Sequence, residues 1–188
     1  APEIEVLEVH VEQGFAQTGI QTSDLTAIAF SRGPGSFSGV RINAAVTQAL
    51  AWSNDIPVIP VSTLQALAQN AYREAGLTEV TAVLDARMSE VYIASFKLDE
   101  NNIMQAVDDE QLLSYEKAQN AVKYQLIGSG AGLVNEEQIQ YKGLSATAED
   151  IATIARELAK HGKWLDAELA LPVYLRDDAW KKIPEQGE

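Results

Sequence analysis

The residues best spaced for chemistry surround a glycine-rich turn. Arg32-Gly-Pro-Gly-Ser36, continued by Phe37, Ser38 and Gly39, separates the apolar stretch Thr26-Ala-Ile-Ala-Phe-Ser31 from a helical pattern. Strand, glycine turn and helix N-terminus in that order can bring backbone N–H groups against an anion, which makes Arg32, Gly33, Gly35, Ser36 and Gly39 the candidate loop. Two phosphate-binding patterns fail on it. A P-loop needs Lys and then Ser or Thr after its last glycine, whereas Gly39 precedes Val40 and Arg41. A dinucleotide fingerprint needs two residues between its second and third glycines, whereas Ser36, Phe37 and Ser38 all stand between Gly35 and Gly39. The run reads either as a structural strand-to-helix turn or as an anion site of another kind. A second cluster, Gly128-Ser-Gly-Ala-Gly132, again follows a strand pattern and has no basic residue beside it. It reads as a turn or as a close approach to a nucleotide.

Carboxylates and imidazoles give less. Asp85 ends a strand pattern with Arg87 and Glu90 in the same turn, a setting for Mg²⁺ or base chemistry, or for a plain ion pair. His10 and His161 are the only histidines, and cysteine is absent. No His-Glu-x-x-His pair exists, so a zinc hydrolase is excluded, and no nucleophile-elbow serine completes a triad. Metal ligands are expected nowhere, and no complete catalytic set is present.

Charge narrows the partners. Fourteen Lys and Arg against 27 Asp and Glu leave a formal net charge of -13, which repels a phosphate backbone. Binding of tRNA is therefore expected only through a complex whose other subunits supply positive surface. No apolar run of about 18 residues exists, so no membrane span is expected. Absence of cysteine fits a cytoplasmic setting. The chain begins at Ala1 inside a helical pattern, so a cut-away or incomplete start is expected.

Positioning elements follow from periodicity. Residues 3–18 place Ile4, Leu7, Val11 and Phe15 on one helical stripe, with Val6 and Val9 on the far side. The far patch is either two stray valines or a second packing face. A helix from about Ser38 to Ser53 carries small residues (Val40, Ala44, Ala45, Ala49, Ala51) that admit a neighbouring helix, while Ile42, Val46 and Leu50 are expected to fill a core side. Val58 lies in a proline-flanked strand, and Ser62 caps a helix stopped by Gly76. Val80–Asp85 and Val91–Phe96 pair antiparallel, Asp99–Gln105 is a loop, and a short helix near Tyr115 leads to the strand Tyr124–Ile127. Thr147 caps a last helix whose inward residues are Ile151, Ile154, Ala155 and Leu158. Alternating strands and helices make the class α/β, with a boundary near Gly76. The expected division is a first lobe over 1–76, a second over 77–165, and a segment 166–188 returning to the first.

Four separated motifs in order resemble the TsaB (YeaZ) family. Ser31-Arg-Gly-Pro-Gly-Ser-Phe-Ser-Gly-Val-Arg-Ile42 is similar to the family's Gly-Pro-Gly-Ser-Phe-Thr-Gly-Val-Arg-Ile-Gly run. Val61-Ser-Thr-Leu-Gln-Ala-Leu67, Asp85-Ala-Arg-Met-Ser-Glu-Val-Tyr92, and Pro172-Val-Tyr-Leu-Arg176 with Trp180-Lys-Lys182 continue it. The resemblance implies a two-lobed actin/Hsp70/sugar-kinase-like (ASKHA) fold. It also implies a non-catalytic subunit that binds and activates the transferase TsaD, assisted by the ATPase TsaE, in threonylcarbamoyladenosine formation at adenosine 37 of ANN-decoding tRNAs. In the family the two helices flanking the glycine turn bundle against TsaD or a second copy. Carried onto this chain, the partner-binding residues are Val6, Val9, His10, Gln13, Val40, Arg41, Ala44, Ala45 and Gln48. No cofactor is expected on the chain alone, and ATP-Mg²⁺ is a candidate only in the complex. Ser38 and Asn43 stand where the family has Thr and Gly. The family's N-terminal hairpin with its Asp-Thr-Ser/Ala-Thr motif has no counterpart, so the first lobe is expected to be incomplete at its start, with an unpaired sheet edge. An ASKHA-type ATPase or kinase, and a protease acting on TsaD, are the competing expectations.

Overall fold

A computed structural model describes residues 11–175. Residues 11–18 are helical (α1), with Val11 and Phe15 half-buried four residues apart, as one helical stripe requires. Strand β1 (Ile28–Gly33) follows a short 3-10 turn and pairs in parallel with β2 (Val58–Ser62). The crossover between them is α2 (Phe37–Ser53). Side chains of this two-stranded sheet alternate between its faces. Phe30 and Val58 meet Ala44 and Ala51 of α2, whereas Ile59 and Val61 meet Ile151 and Ile154 of the last long helix. Among the described residues the second edge of β1 pairs with no strand.

The second sheet has β4 (Glu90–Leu98) beside β3 (Glu79–Arg87), antiparallel, and β7 (Gln125–Ile127) parallel to β3 on its other side. The far edge of β4 is shared by β5 (Met104–Ala106) and β6 (Gln111–Ser114). Val80, Ala82, Ala94 and Phe96 face α3 (Thr63–Ala75), and Val83, Val91, Ile93 and Leu126 face α4 (Tyr115–Ala121) and α5 (Ala131–Val134). Covered on both faces, the middle of β3 reads as the unbroken run Val-Thr-Ala-Val. Ser62 caps α3 by accepting from the Gln65 N–H at 3.1 Å, and Gly76 ends it in the left-handed region at φ 67°.

Three sequence expectations change. Met104 and Gln105 belong to β5 and not to a loop. Strand β6 was not anticipated, because it is four residues long and only Ser114 separates its apolar pair Leu112–Leu113 from α4, too short for an alternating pattern to stand out. The core side of α2 is Val40, Ala44, Thr47 and Ala51, while Ile42, Val46 and Leu50 are only half-buried. Beneath the helix, against β1 and the 167–169 turn, sit side chains no larger than valine, and the larger Ile42 and Leu50 lie off that face.

Helix α6 (Ala148–Lys160) begins on a buried charge. Asp150 is completely buried and closes a capping box with Thr147. Its carboxylate accepts from the Thr147 Oγ1–H at 2.7 Å, the Thr147 N–H at 3.1 Å, Asn70 Nδ2 at 3.1 Å and Arg73 Nε at 3.0 Å. Burial pushes this carboxyl upward, but the hydrogen bonds from Arg73, Thr147 and Asn70 outweigh it and hold the group below the ordinary aspartate value. Its stabilisation is therefore complete above the unfolded value of about 3.9 and is lost as pH falls through the lower folded one. Asp150→Asn is expected to cost about 2–3 kcal/mol at pH 7 in urea unfolding, since at a fully buried position it replaces a carboxylate that accepts from Arg73, Thr147 and Asn70 with a neutral amide that cannot match those bonds. The gap between variant and parent should close as pH drops below about 4.

Candidate functional site

The glycine turn lies opposite the tip of the β3–β4 hairpin. Between them is a cleft of about 380 Å³ whose walls include Ser36, Phe37, Asp85, Arg87, Met88 and Tyr174. On one side the turn is built by a cis Gly33–Pro34 bond and a capped helix: Ser36 Oγ accepts the Gly39 N–H at 3.2 Å. Gly33 has φ 101°, and a Cβ there would stand 3.2 Å from the carbonyl oxygen of Val173, so a side chain is barred by both backbone and neighbour. That neighbour matters, because the Val173 N–H donates to the Arg32 carbonyl at 2.8 Å. The segment before it is tied to β2 and α2 as well, through an antiparallel bridge between Leu165 and Val58 and a bond from Gln48 Nε2 to the Glu168 carbonyl at 2.9 Å.

Both arginines of the turn are engaged. Arg32 pairs with Glu110 at 3.2 Å, and Glu110 also accepts from the Ser62 hydroxyl. Arg41 donates from Nε to Tyr174 Oη at 2.7 Å, and its guanidinium lies 3.7 Å from the Phe37 ring centre and 5.5 Å from that of Tyr174. A carboxylate therefore meets one charge and two aromatic faces meet the other. Asp85 accepts the Arg87 N–H at 2.8 Å and pairs with its guanidinium at 3.2 Å, the structural form of its two sequence readings. Arg87, Met88 and Ser89 all have positive φ, between 53° and 63°, which packs the hairpin tip tightly and leaves Met88 80% exposed over the cleft. At the second glycine cluster, a Cβ on Gly128 would stand 2.6 Å from the Val83 carbonyl oxygen. Close packing against β3 accounts for that glycine. No group of three His, Cys, Asp or Glu that could hold a metal occurs among the described residues.

The expected partner residues separate into groups. Val6, Val9 and His10 lie outside the described residues. Gln13 is exposed on α1, and Arg41 and Ala45 are exposed on α2. Gln48 is half-buried on its bond to Glu168. Val40 and Ala44 are 9% and 4% exposed and face the chain's own core, which corrects their place on an outer surface: a helix repeats its face every three to four residues, and these two share theirs with Thr47 and Ala51. Gly35 and Gly39 pack against Val40 and Ser36. Asn43, which departs from the family's Gly, donates from Nδ2 to the Ser31 carbonyl at 2.8 Å. That contact was not foreseen, although an amide one helical turn beyond a glycine turn is placed to reach back to the preceding strand.

No helix among the described residues is long and apolar enough to cross a membrane. Residues 4–177 match the family model for TsaD, tRNA N6-adenosine threonylcarbamoyltransferase. The Escherichia coli K12 tRNA threonylcarbamoyladenosine biosynthesis protein TsaB is 38% identical over 93% of this chain and 81% of its own length. Its Haemophilus influenzae counterpart is 35% identical over 93% of this chain and 80% of its own. A Pseudomonas aeruginosa crystal structure, described as similar to peptidase YeaZ, superposes with a TM-score of 0.79 at 39% identity, covering 88% of this chain and 81% of that one.

Arg41→Ala removes both aromatic contacts and the Tyr174 bond. Hydrogen exchange at the Val173 amide should then quicken about fivefold, the equivalent of about 1 kcal/mol for an exposed cation–π contact. The Val83 amide in β3 should be unaffected.

Proposed function

Because the chain belongs to the TsaB family of tRNA threonylcarbamoyladenosine biosynthesis proteins, we propose that it is a non-catalytic subunit that binds and activates the transferase TsaD. The observation that carries this reading is the outer stripe of α2. Ala45 and Ala49 are exposed and flanked by half-buried Ile42 and Val46, an apolar strip with side chains small enough for a second helix to approach closely. The stripe replaces Val40 and Ala44 as the centre of the partner surface. A chain with two histidines, no cysteine and a net charge of -13 fits a subunit that leaves both metal chemistry and tRNA contact to its partner.

Mixed with TsaD, the chain should elute as a complex in gel filtration. Ala45→Arg should abolish that complex while leaving the circular dichroism spectrum and thermal midpoint of the parent, since the position is solvent-facing. A variant that still co-elutes would overturn the assignment of the stripe.

The cleft between the glycine turn and the β3–β4 hairpin favours a second reading, an ASKHA-type ATPase or kinase with its own nucleotide site. Calorimetric titration with ATP-Mg²⁺ separates the two. A partner subunit should give no saturable heat alone, and an ATPase should bind without TsaD.

A further inference from the structure

Beside the C-terminal end of α2 lies another cleft, of about 470 Å³, whose walls include Trp52, Asp55, Trp164, Asp166 and Glu168. Trp52 and Trp164 are 70% and 52% exposed, and Leu169 and Leu171 on the same segment as Trp164 are 48% and 60% exposed. Single exposed apolar residues are ordinary, but two indoles on one cleft with leucines beyond it form a surface of the kind that partners cover. The walls are fixed by backbone. Trp52 sits on the last turn of α2, where Asp55 and Ile56 donate their N–H groups to the carbonyls of Trp52 and Ala51 at 3.2 and 3.0 Å. Trp164 directly precedes the Leu165–Val58 bridge, whose two hydrogen bonds are both 2.9 Å. The 167–169 turn is held to α2 through Gln48.

Charge decides what fits there. Asp55, Asp166 and Glu168 form no ion pair or side-chain hydrogen bond among the described residues, and Lys163, next to Trp164, is exposed. Indole faces attract a cation, the carboxylates reinforce the attraction, and an aliphatic stem lies well on the same rings. We propose that this cleft docks a segment of a partner protein carrying Lys or Arg beside apolar residues, with the cationic side chain between Trp52 and Trp164. A small free cation would leave Leu169 and Leu171 uncovered. A second copy of a chain with net charge -13 is repelled as it approaches, whereas a basic surface is drawn in. This proposal stands on the tryptophan cleft and does not require the Ala45 stripe to be the transferase surface.

The test is a fluorescence titration of the full chain with the peptide acetyl-Gly-Leu-Lys-Ala-Arg-Leu-Gly-amide and with its counterpart carrying Gln at both charged positions. The basic peptide should quench tryptophan emission saturably and bind about tenfold more tightly than the neutral one, with the advantage shrinking as salt rises from about 0.05 to 0.5 M. The double variant D166N/E168Q keeps both indoles and the exposed positions of both side chains. It should lose about tenfold in affinity for the basic peptide and none for the neutral one. Equal binding of the two peptides, or unchanged affinity in the double variant, overturns the proposal. Spermidine binding as tightly as the peptide would overturn the protein partner in favour of a small cation. Self-association in sedimentation that Trp164→Ala abolishes would overturn it in favour of a second copy.

Discussion

Asp150 is a charge with no exposed surface, and the arrangement of the two sheets depends on the partners it collects. Arg73 and Asn70 come from α3, and Thr147 from the start of α6. Through these contacts the helix that floors the first sheet is fixed to the helix that backs the second. Helix α3 is consequently buried on two sides, with Leu64, Leu67, Ala68 and Ala71 toward the large sheet and Ala66 toward the small one. Its buried polar side chains, Gln69 and Asn70, are cut off from water, and both are hydrogen-bonded. Gln69 receives the Met104 N–H at 2.9 Å and donates to the Asn102 carbonyl at 3.0 Å, pinning the start of β5. A fully satisfied polar seam of this kind specifies one docking angle where apolar contact alone tolerates several.

How much of this was legible depended on whether the signal was local. Ser62, Gly76 and Thr147 announce helix ends through short-range hydrogen bonding and backbone freedom, and all three do so in the structure. The β3–β4 hairpin was legible because its two apolar runs flank a polar turn. Three features resisted. Strand β6 is too short to show a period. The inward face of α2 was misread because residue size was taken to rank burial, whereas the face against β1 carries alanine and threonine and isoleucine lies off it. The role of Asp150 beyond its capping box was invisible because Arg73 and Asn70 lie 77 and 80 residues upstream in sequence.

The same distinction runs through the candidate site. The glycine turn was recognisable as strand, turn and helix, and its two readings followed from residue types. What the arginines do was not recognisable, since Glu110 and Tyr174 reach them from other elements. Arg32 ties the glycine turn to Glu110, and Arg41 ties α2 to Tyr174. This leaves the outer face of α2 as a simple surface of small side chains, set by a helix whose inner face is anchored along its whole length. Binding there requires no rearrangement of the chain's own core.

The tie between Val173 and Arg32 has a consequence for synthesis. Strands β1 and β2 emerge from the ribosome long before Leu165 and Val173, which bond to them, so the small sheet lacks that cover while the β3–β4 sheet and α3 are already assembling. Phe30, Ala44 and Ala51 meet Ala170 only when almost the whole chain has been made. Until then the inner face of α2 rests on Phe30 and Val58 without Ala170. Ala44 and Ala51 are thus closed over on their second side late in synthesis, a delay that arises from topology alone.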